Sequence, residues 1–362
     1  MNKLFLIGLL LLIAGCGAGP GRLKALTQHG IPFQSGRTTI DVAESSAKVR
    51  VQYTGCGGLY ILKGDQAIMI DPFFSNQKFM RIGSSMFNGK RKIRSDPKAI
   101  DGGLKSIEAA MGKIGAENTT VLSAHSHYDH LMDVPAVHAK LNNVPTLYVN
   151  QSGFNTCYNV LDTGKMVILE NFMTTQEITR RPIEIAGLQG SIRIYPILAG
   201  HNAHFNDIKF FSGSRTEPVP YFTDPLAKTR VNDWLEGNTF SFMIDYLGQN
   251  GEIDFRIFVQ SSSCNPMAGI PPAAMLKDKP VDVAFLGVAS YRFSPDYPCT
   301  LMQAIQAKEI VWIHWEDFFR KYSKEPKTLR GTDVVKFFDI PCVKPYKPKA
   351  LLPWPGAGYD FE

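Results

Sequence analysis

The chain has 362 residues, of which 44% are hydrophobic and 20% charged, a composition ordinary for a globular protein with a substantial core. That length accommodates one large domain or two modest ones. The net charge of +6 and the isoelectric point of about 8.9 suit an anionic substrate or surface, or simply a solvated basic face. They do not favour nucleic-acid binding, because no basic run is longer than Lys90-Arg91-Lys92.

The N-terminus has the pattern of a secretory signal. Lys3 precedes an apolar run, residues 4–13, that is too short to span a membrane comfortably, and small residues lead to Cys16. The ending Ile13-Ala14-Gly15-Cys16 resembles a bacterial lipobox, which implies cleavage before Cys16 and its lipidation. The alternative is an uncleaved anchor helix; both place the body outside the cytoplasm. If the host is Gram-negative, Gly17 after the cysteine favours anchoring in the outer membrane, facing the periplasm. The lipid chains would contribute about 0.8 kcal/mol per buried methylene.

Further segments are expected along the chain. After the signal segment of residues 1–15, residues 16–47 show weak periodicity and are predicted to form a tether that leads into the globular body. The body is expected to span residues 48–345. Residues 346–362 are expected to form a C-terminal tail, since the chain becomes rich in lysine and proline after Phe319.

The body opens with predicted strands. Residues 49–53 alternate like a half-buried strand, and residues 59–62 and 67–70 then form a hairpin after a glycine-rich turn. The basic residues 73–98 form a long connection, either a substrate loop over a site or a mobile solvated loop. The apolar spacing of residues 100–114 predicts an amphipathic helix.

Three histidines and an aspartate follow the next apolar run. Val121-Leu122 is typical of the end of a buried strand, and the side chains of His125, His127 and Asp129 alternate, so that in extended chain they face one way. His130 follows directly and can turn to a neighbouring point, which suits two adjacent metal positions. Imidazole and carboxylate are ligands that zinc prefers. The spacing therefore predicts a metal site rather than a polar loop in solvent.

The segment His125-Ser126-His127-Tyr128-Asp129-His130 matches the motif HxHxDH. Through this motif the chain resembles the metallo-β-lactamase superfamily. The resemblance covers about residues 48–340. It implies an α/β fold, a four-layer αββα sandwich, with a metal-bound hydroxide as nucleophile. It also implies one or two zinc ions, with manganese or iron as alternatives. His125 and His127 would share the first ion with a third histidine, and Asp129 and His130 would hold the second.

The resemblance gives roles to two further strand ends. Asp71 follows the strand of residues 67–70 and would support the metal ligands without binding the metal; the alternative is a turn aspartate before Pro72. His201 follows the strand of residues 191–197, where the family has its third histidine. His204 is the alternative ligand, or it orients substrate or caps the loop.

The sequence departs from the family after the predicted strand of residues 255–259. Many members have a metal-bridging aspartate there, and this chain has Ser262 in its place, which weakens the case for a second tightly bound ion. Cys264 is the candidate replacement ligand, the alternative being a structural cysteine. Five cysteines besides Cys16 are an odd number, so at least one is unpaired or a ligand if the others pair.

A final strand, residues 309–313, leads to His314. The resemblance implies that His314 binds the second metal beside Asp129 and His130; the alternative is a buried histidine without a ligand role. Aromatic and basic residues between Phe205 and Trp234 either line a pocket for an apolar, lipid-like substrate or pack in the core.

The predicted function is that of a metal-dependent hydrolase acting on an ester-type bond in a small-molecule or lipid-like substrate. Phosphodiesters are favoured, because the opening strands and the histidine loop resemble the phospholipase D-like and lactonase-like branches of the superfamily. Asp129 is expected to take part in proton handling as well as in metal binding. The alternatives are a non-catalytic metal-binding surface lipoprotein, which Ser262 favours, and a lactonase or β-lactamase.

Overall fold

The computed structural model describes residues 23–41, 49–87, 91–112, 114, 118–187, 190–204, 208–265, 267–321 and 324–362. The predicted signal segment and the lipidation residue Cys16 lie outside this part of the chain. No helix within it combines the length and the apolar character needed to cross a membrane.

Fourteen strands lie in the described part of the chain. In chain order they are β1 (Arg37–Ile40), β2 (Val49–Gly55), β3 (Gly58–Lys63), β4 (Gln66–Ile70), β5 (Thr119–Leu122), β6 (Thr146–Val149), β7 (Met166–Ile168), β8 (Ile183–Gly187), β9 (Gly190–Leu198), β10 (Phe240–Leu247), β11 (Ile253–Gln260), β12 (Val283–Gly287), β13 (Glu309–Ile313) and β14 (Gly358–Phe361).

Nine α-helices lie in the same described residues, and the longest has 15 residues. They are α1 (Leu23–Gln28), α2 (Phe79–Phe87), α3 (Pro97–Met111), α4 (Tyr128–Leu131), α5 (Val134–Lys140), α6 (Gln151–Cys157), α7 (Ala273–Asp278), α8 (Cys299–Ile305) and α9 (Val334–Phe337). Single 3-10 turns occur at Thr163–Lys165, Leu169–Phe172, Val231–Asp233 and Tyr291–Phe293, and a longer one at Lys344–Lys349.

The helix predicted at residues 100–114 is α3, which begins and ends three residues earlier. It begins there because the Asp96 side chain accepts a hydrogen bond from the Lys98 amide and Pro97 occupies the first turn. It ends where Gly112 takes a φ of 88°. The connection before it contains α2, which the sequence reasoning missed because glycine, serine and basic residues mask its apolar face.

The strands form two mixed sheets. The first has the order β1-β14-β2-β3-β4-β5-β6-β7, and β4 to β7 run parallel. The second has the order β13-β12-β11-β10-β9-β8, in which β11 to β13 are parallel and β8 to β11 antiparallel. Consecutive β-strand residues point to opposite faces, so each sheet contributes side chains to two cores.

Three apolar cores separate four layers. The central core lies between the sheets, where Ile61 and Leu122 of the first sheet join Ile244 and Phe285 of the second. A second core packs the outer face of the first sheet against α2 to α6, and a third packs the outer face of the second sheet against α1, α7, α8 and α9. The predicted four-layer αββα arrangement is confirmed.

Two predicted segment boundaries are corrected by the sheet pairing. The segment predicted as a C-terminal tail, residues 346–362, contains β14, which lies inside the first sheet between β1 and β2. The segment predicted as a tether, residues 16–47, contains β1, which pairs in parallel with β14. A short strand at either end of a domain is stable only beside a strand that is distant in sequence. Its few residues show too little periodicity to predict the strand or its partner. The sandwich therefore extends to the last residues.

A disulfide joins Cys299, the first residue of α8, to Cys342, which follows α9. Cys56, Cys157 and Cys264 are buried free thiols. The bond ties together two helical segments on the outer face of the second sheet, away from the strand ends that carry the histidines.

Candidate metal centre

Each predicted ligand lies beyond the carboxyl end of a strand, at a common edge of the sandwich. The HxHxDH segment follows β5, His201 follows β9 and His314 follows β13. The two sheets bring these ends together: the ring centroids of His125 and His201 are 5.1 Å apart, and those of His130 and His314 are 5.4 Å apart. Sheet packing thus converts separate strand ends into one site.

His125, His127 and His201, hereafter the histidine group, each offer a nitrogen within 4.8 Å of the others. Nε2 of His125 lies 3.0 Å from Nδ1 of His127. His201 Nδ1 lies 2.8 Å from the carbonyl oxygen of Asn202, which can only accept, so Nδ1 donates and Nε2 keeps its lone pair. The geometry places His201 where the third histidine was predicted.

His204, the alternative third ligand, is outside the histidine group. Its ring stacks on His201 with centroids 4.7 Å apart, and its Nδ1 accepts a hydrogen bond from the Phe210 amide at 3.1 Å. It therefore holds the loop after β9 beside the site and faces the cavity described below.

Cys56, Asp129, His130 and His314, hereafter the mixed group, form a second set of donors within 4.8 Å of one another. All four are buried. Oδ2 of Asp129 lies 3.8 Å from His130 Nε2 and 3.9 Å from His314 Nε2. The rings of His125 and His130 are 4.0 Å apart, so the two groups are adjacent.

Asp71 contacts the mixed group from below. Its Oδ2 lies 2.9 Å from Nδ1 of His130 and accepts a hydrogen bond from Ser261 Oγ at 3.1 Å, while its Oδ1 accepts the Ala124 amide at 2.7 Å. Since a carboxylate accepts only, Nδ1 of His130 carries a proton, and in the neutral imidazole the Nε2 lone pair faces Asp129. Asp71 thus contacts His130 and the loop after β5 without being part of either donor group.

The expectation for Cys264 is corrected. Its thiol is part of neither group; its Sγ accepts a hydrogen bond from Gln260 Nε2 and donates to the Ala268 carbonyl, both at 3.3 Å. It is held inside the turn after β11 and has the environment of a structural cysteine, which was the alternative. The Ser262 hydroxyl at the family's aspartate position is buried and has no hydrogen-bond partner among the described residues.

Cys56 is the donor that the sequence reasoning missed, because it lies in what was taken as a simple glycine-rich turn. It is one of the two residues between β2 and β3. One signal was available: a cysteine in a hairpin turn where asparagine or aspartate is preferred.

Two buried glutamates near the groups were also missed. Glu316 accepts hydrogen bonds from the Cys56 amide at 2.6 Å and from the Tyr53 hydroxyl at 2.7 Å. Glu236 Oε2 lies 4.0 Å from Nε2 of His127, and Oε1 binds Lys209 at 2.7 Å. Glu316 restrains the turn that carries Cys56, and Glu236 places a buried carboxylate beside His127. Neither glutamate stands in a local pattern that would single it out.

Burial sets the protonation of the site. Desolvation lowers the pKa of His125, His127 and His314 well below the ordinary value and lowers that of His201 to about 4. For His130 the effect of burial is outweighed by the Asp71 and Asp129 carboxylates, which raise its pKa. Neutral imidazoles with free lone pairs are the form that binds metal ions.

These residues fit a metal of the zinc class. Imidazole, carboxylate and thiol are its usual donors, and four-coordinate zinc separates its ligand atoms by about 3.3–3.6 Å. The donor atoms of each group lie within 4.8 Å of one another, from 3.0 Å between His125 and His127 to 3.9 Å between Asp129 and His314 among the pairs in closest contact. In addition, Nε2 of His130 is buried without a hydrogen-bond partner among the described residues. A cation satisfies that atom, whereas no protein group does.

A cavity of about 330 Å³ opens above both groups, and His127, Asp129, His201 and His314 are among its lining residues. Most of its wall is apolar and comes from α2, the loop after β9 and residues 318–332. The wall side chains are Phe79, Ile82, Met86, Phe210, Phe211, Phe293, Phe318, Phe319 and Leu329. Arg292 and Arg330 are its two basic lining residues, and both are exposed.

Two predicted loops contribute to this wall in part. The connection of residues 73–98 contains α2, and side chains of α2 form part of the cavity wall. The aromatic segment between Phe205 and Trp234 divides: Phe210 and Phe211 line the cavity, whereas Phe222 and Trp234 are buried in the outer core of the first sheet.

No protein-family model matches the chain, and no curated protein matches it. Among solved structures, a metallo hydrolase from the archaeon Ignicoccus hospitalis is 12% identical, with 87% of this chain and 99% of that chain covered and a TM-score of 0.44. An isothiocyanate hydrolase from Delia radicum gut bacteria is also 12% identical, with 85% and 98% covered and a TM-score of 0.44. A B3 metallo-β-lactamase with an active-site glutamic acid is 10% identical, with 91% and 96% covered and a TM-score of 0.34. Similarity this distant assigns no activity to the chain.

Proposed function

We propose that the chain is a metal-dependent hydrolase of the metallo-β-lactamase superfamily that cleaves an ester-type bond. The observation that carries the proposal is the pair of adjacent buried donor groups on the floor of an apolar cavity. The proposed metal is zinc, as one or two ions, with manganese and iron as alternatives.

The histidine group and the mixed group would each hold an ion. A zinc-class cation held by the three imidazoles of the histidine group would keep a coordination position for water or substrate, and His127 and His201 line the cavity. Bound metal lowers the pKa of a water molecule and polarises a substrate oxygen. Asp129 lines the cavity as well as the mixed group, so its carboxylate is placed to accept a proton there. Glu236 adds a buried carboxylate 4.0 Å from Nε2 of His127.

The cavity favours an amphipathic, anionic substrate. Its aromatic walls exclude water from the reacting bond and bury an apolar group, and Arg292 and Arg330 can pair with a phosphate. A phosphodiester or phospholipid-like substrate has both features. A small lactone or a β-lactam would fill the same volume without using the arginines.

We also propose that the protein is lipid-anchored through Cys16 in the cell envelope, at the outer membrane and facing the periplasm. The Ile13-Ala14-Gly15-Cys16 segment supports this location. The Cys299–Cys342 disulfide supports it too, because such bonds persist in oxidising compartments. The membrane would then be both the anchor and the source of a lipid-like substrate.

The test compares hydrolysis of bis(4-nitrophenyl) phosphate, a short-chain lactone and nitrocefin by the wild type and His127→Ala. We expect phosphodiester turnover that falls by at least about 100-fold in the variant, since one ligand of the open site is lost. His29→Ala, which removes an exposed histidine, is the control and keeps full activity. Wild-type protein that binds metal but turns over none of the substrates would instead be a non-catalytic metal-binding lipoprotein.

A further inference from the structure

The thiol of Cys56 lies among the mixed-group donors. Its Sγ is 3.5 Å from Asp129 Oδ2 and 3.8 Å from His314 Nε2. Zinc bound to sulfur at about 2.3 Å and to nitrogen or oxygen at about 2.0–2.1 Å separates such atoms by about 3.5 Å. One cation can therefore contact all three residues and His130 after small side-chain shifts.

The hairpin turn holds Cys56 in an unfavourable backbone conformation. Cys56 and Gly57 are the two turn residues, with φ of 52° and 81°. Two-residue hairpins need positive φ at such positions, and asparagine followed by glycine meets that need best. Cysteine is strained there, because its Cβ crowds the following carbonyl oxygen in the left-handed conformation. The turn alone does not account for a cysteine at this position.

The surroundings of the turn fix the thiol against the mixed group. A Cβ atom on Gly57 would lie 2.8 Å from Ser261 Cβ and 3.5 Å from His130 Cε1, so only glycine permits this approach. On the other side, Glu316 accepts the Cys56 amide at 2.6 Å. The Tyr53 hydroxyl bridges Glu316 and the His314 amide, at 2.7 and 3.0 Å. The turn and His314 are thus positioned together.

The mixed group also lacks a donor that the family resemblance led us to expect. Ser262 stands at the predicted position of the bridging carboxylate, and Ser261 donates its hydroxyl to Asp71. A neutral hydroxyl is a poor ligand for the zinc class, whereas a thiolate is a strong one. The thiol of Cys56, which lies between β2 and β3 of the first sheet, contacts Asp129 and His314 of the mixed group.

We propose that Cys56 is a thiolate ligand to the metal of the mixed group and takes the place of the carboxylate that is absent at Ser262. The proposal rests on the proposed metal centre. On metal binding the S–H bond gives its proton to solvent and the sulfur electron pair forms the bond to the cation, with no change of oxidation state. The mixed group then supplies four protein donors, and its sulfur selects zinc over manganese.

The competing explanation is a structural thiol that only donates a hydrogen bond to Asp129. The two explanations differ in whether a bound metal ion contacts the sulfur of Cys56. A thiolate bound to cobalt(II) gives an intense near-ultraviolet charge-transfer band that nitrogen and oxygen ligands do not give. Sulfur bound to zinc appears in X-ray absorption as a neighbour at about 2.3 Å.

The experiment loads the full chain with cobalt(II) and measures bound cobalt and absorption for the wild type, Cys56→Ser, Cys56→Asp and Cys264→Ser. Aspartate tolerates positive φ and supplies a carboxylate. We expect two ions and the charge-transfer band in the wild type. Cys56→Ser should lose the band and bind the second ion at least about tenfold more weakly. Cys56→Asp should recover the second ion without the band. Cys264→Ser, a buried free thiol outside both groups, should match the wild type.

A band that persists in Cys56→Ser, or two ions bound by the wild type without a band, would overturn the assignment of Cys56 and leave the metal centre standing. One ion without a band would do the same, because only the histidine group would be filled. No bound cobalt in the wild type would overturn the proposed function itself. If the Cys56 variants do not fold, zinc X-ray absorption of the wild type and of Cys264→Ser decides the matter, since a sulfur neighbour in both supports Cys56 and none in the wild type excludes it.

Discussion

The isosteric substitution Asp71→Asn tests whether the hydrogen bond between Asp71 and His130 strengthens metal binding by the mixed group. Asp71 is fully buried at a φ of 46°, which asparagine also adopts readily. In the native protein the Ala124 amide donates to Asp71 Oδ1 at 2.7 Å, and the side-chain oxygen of asparagine can accept the same hydrogen bond. Its amino group, however, would face Nδ1 of His130, which donates to Asp71 Oδ2 at 2.9 Å in the native protein. Two donors then oppose each other.

The expected loss of affinity for the second ion follows from the tautomer of His130. To accept from the new amino group, His130 must place its proton on Nε2, the atom that faces Asp129 at 3.8 Å. Metal binding then has to reverse the tautomer and break the new contact, at a cost of about 1.5–3 kcal/mol, that of a hydrogen bond to a charged group. We expect the dissociation constant of the second ion to rise by about 10–100-fold, the usual effect of losing a partner of a ligating histidine.

The assay is competition for zinc with a chromophoric chelator, which resolves the first and second ions. Asp133→Asn is the matched control, because Asp133 is a fully buried aspartate that accepts the Phe74 and Ser75 amides at 2.7 Å outside both donor groups. The control should retain both ions. Unchanged affinity for the second ion in a folded Asp71→Asn protein would refute the reasoning, as would equal weakening of the two ions.

Two further predictions concern the second ion and the disulfide. In His314→Ala the metal content should fall from two ions per chain to one, measured by elemental analysis of protein purified without added metal; an unchanged content would show that His314 is not a ligand. Replacing Cys299 and Cys342 with serine opens a loop with a sequence separation of 43 and should lower the free energy of unfolding by up to about 4 kcal/mol in urea titrations. Metal content should not change, because both cysteines lie outside the donor groups; its loss would contradict that separation.

The strand-end positions were predictable because they depend on local order. An apolar run followed by alternating histidines is legible over a dozen residues, whereas the role of His201 was implied by the family resemblance. The structure groups His125 and His127, which follow β5 of the first sheet, with His201, which follows β9 of the second. His138 in α5 lies outside both donor groups, and its nitrogens contact Asn143 and Pro145, two nearby residues in sequence. In each case the element and its end lie within one stretch of chain.

The missed residues depend on contacts between distant segments. Cys56 and Glu316 are 260 positions apart, yet the amide of one donates to the carboxylate of the other. The strand β14 likewise inserts between β1 and β2 although it lies at the opposite end of the chain from them. Cys264 was chosen because it is close in sequence to Ser262, but the turn after β11 directs its thiol to Gln260 and Ala268.

By itself, then, the sequence determined the strand ends that carry His125 to His130 and the ligand spacing there, because side-chain periodicity and ligand spacing are local properties. The αββα layering was implied by the family resemblance. Only the tertiary structure decided which thiol meets Asp129 and His314 and which aromatic side chains wall the cavity. Those contacts join the first sheet to the second, and their formation depends on how the two sheets pack across the central core, which no local stretch of residues encodes.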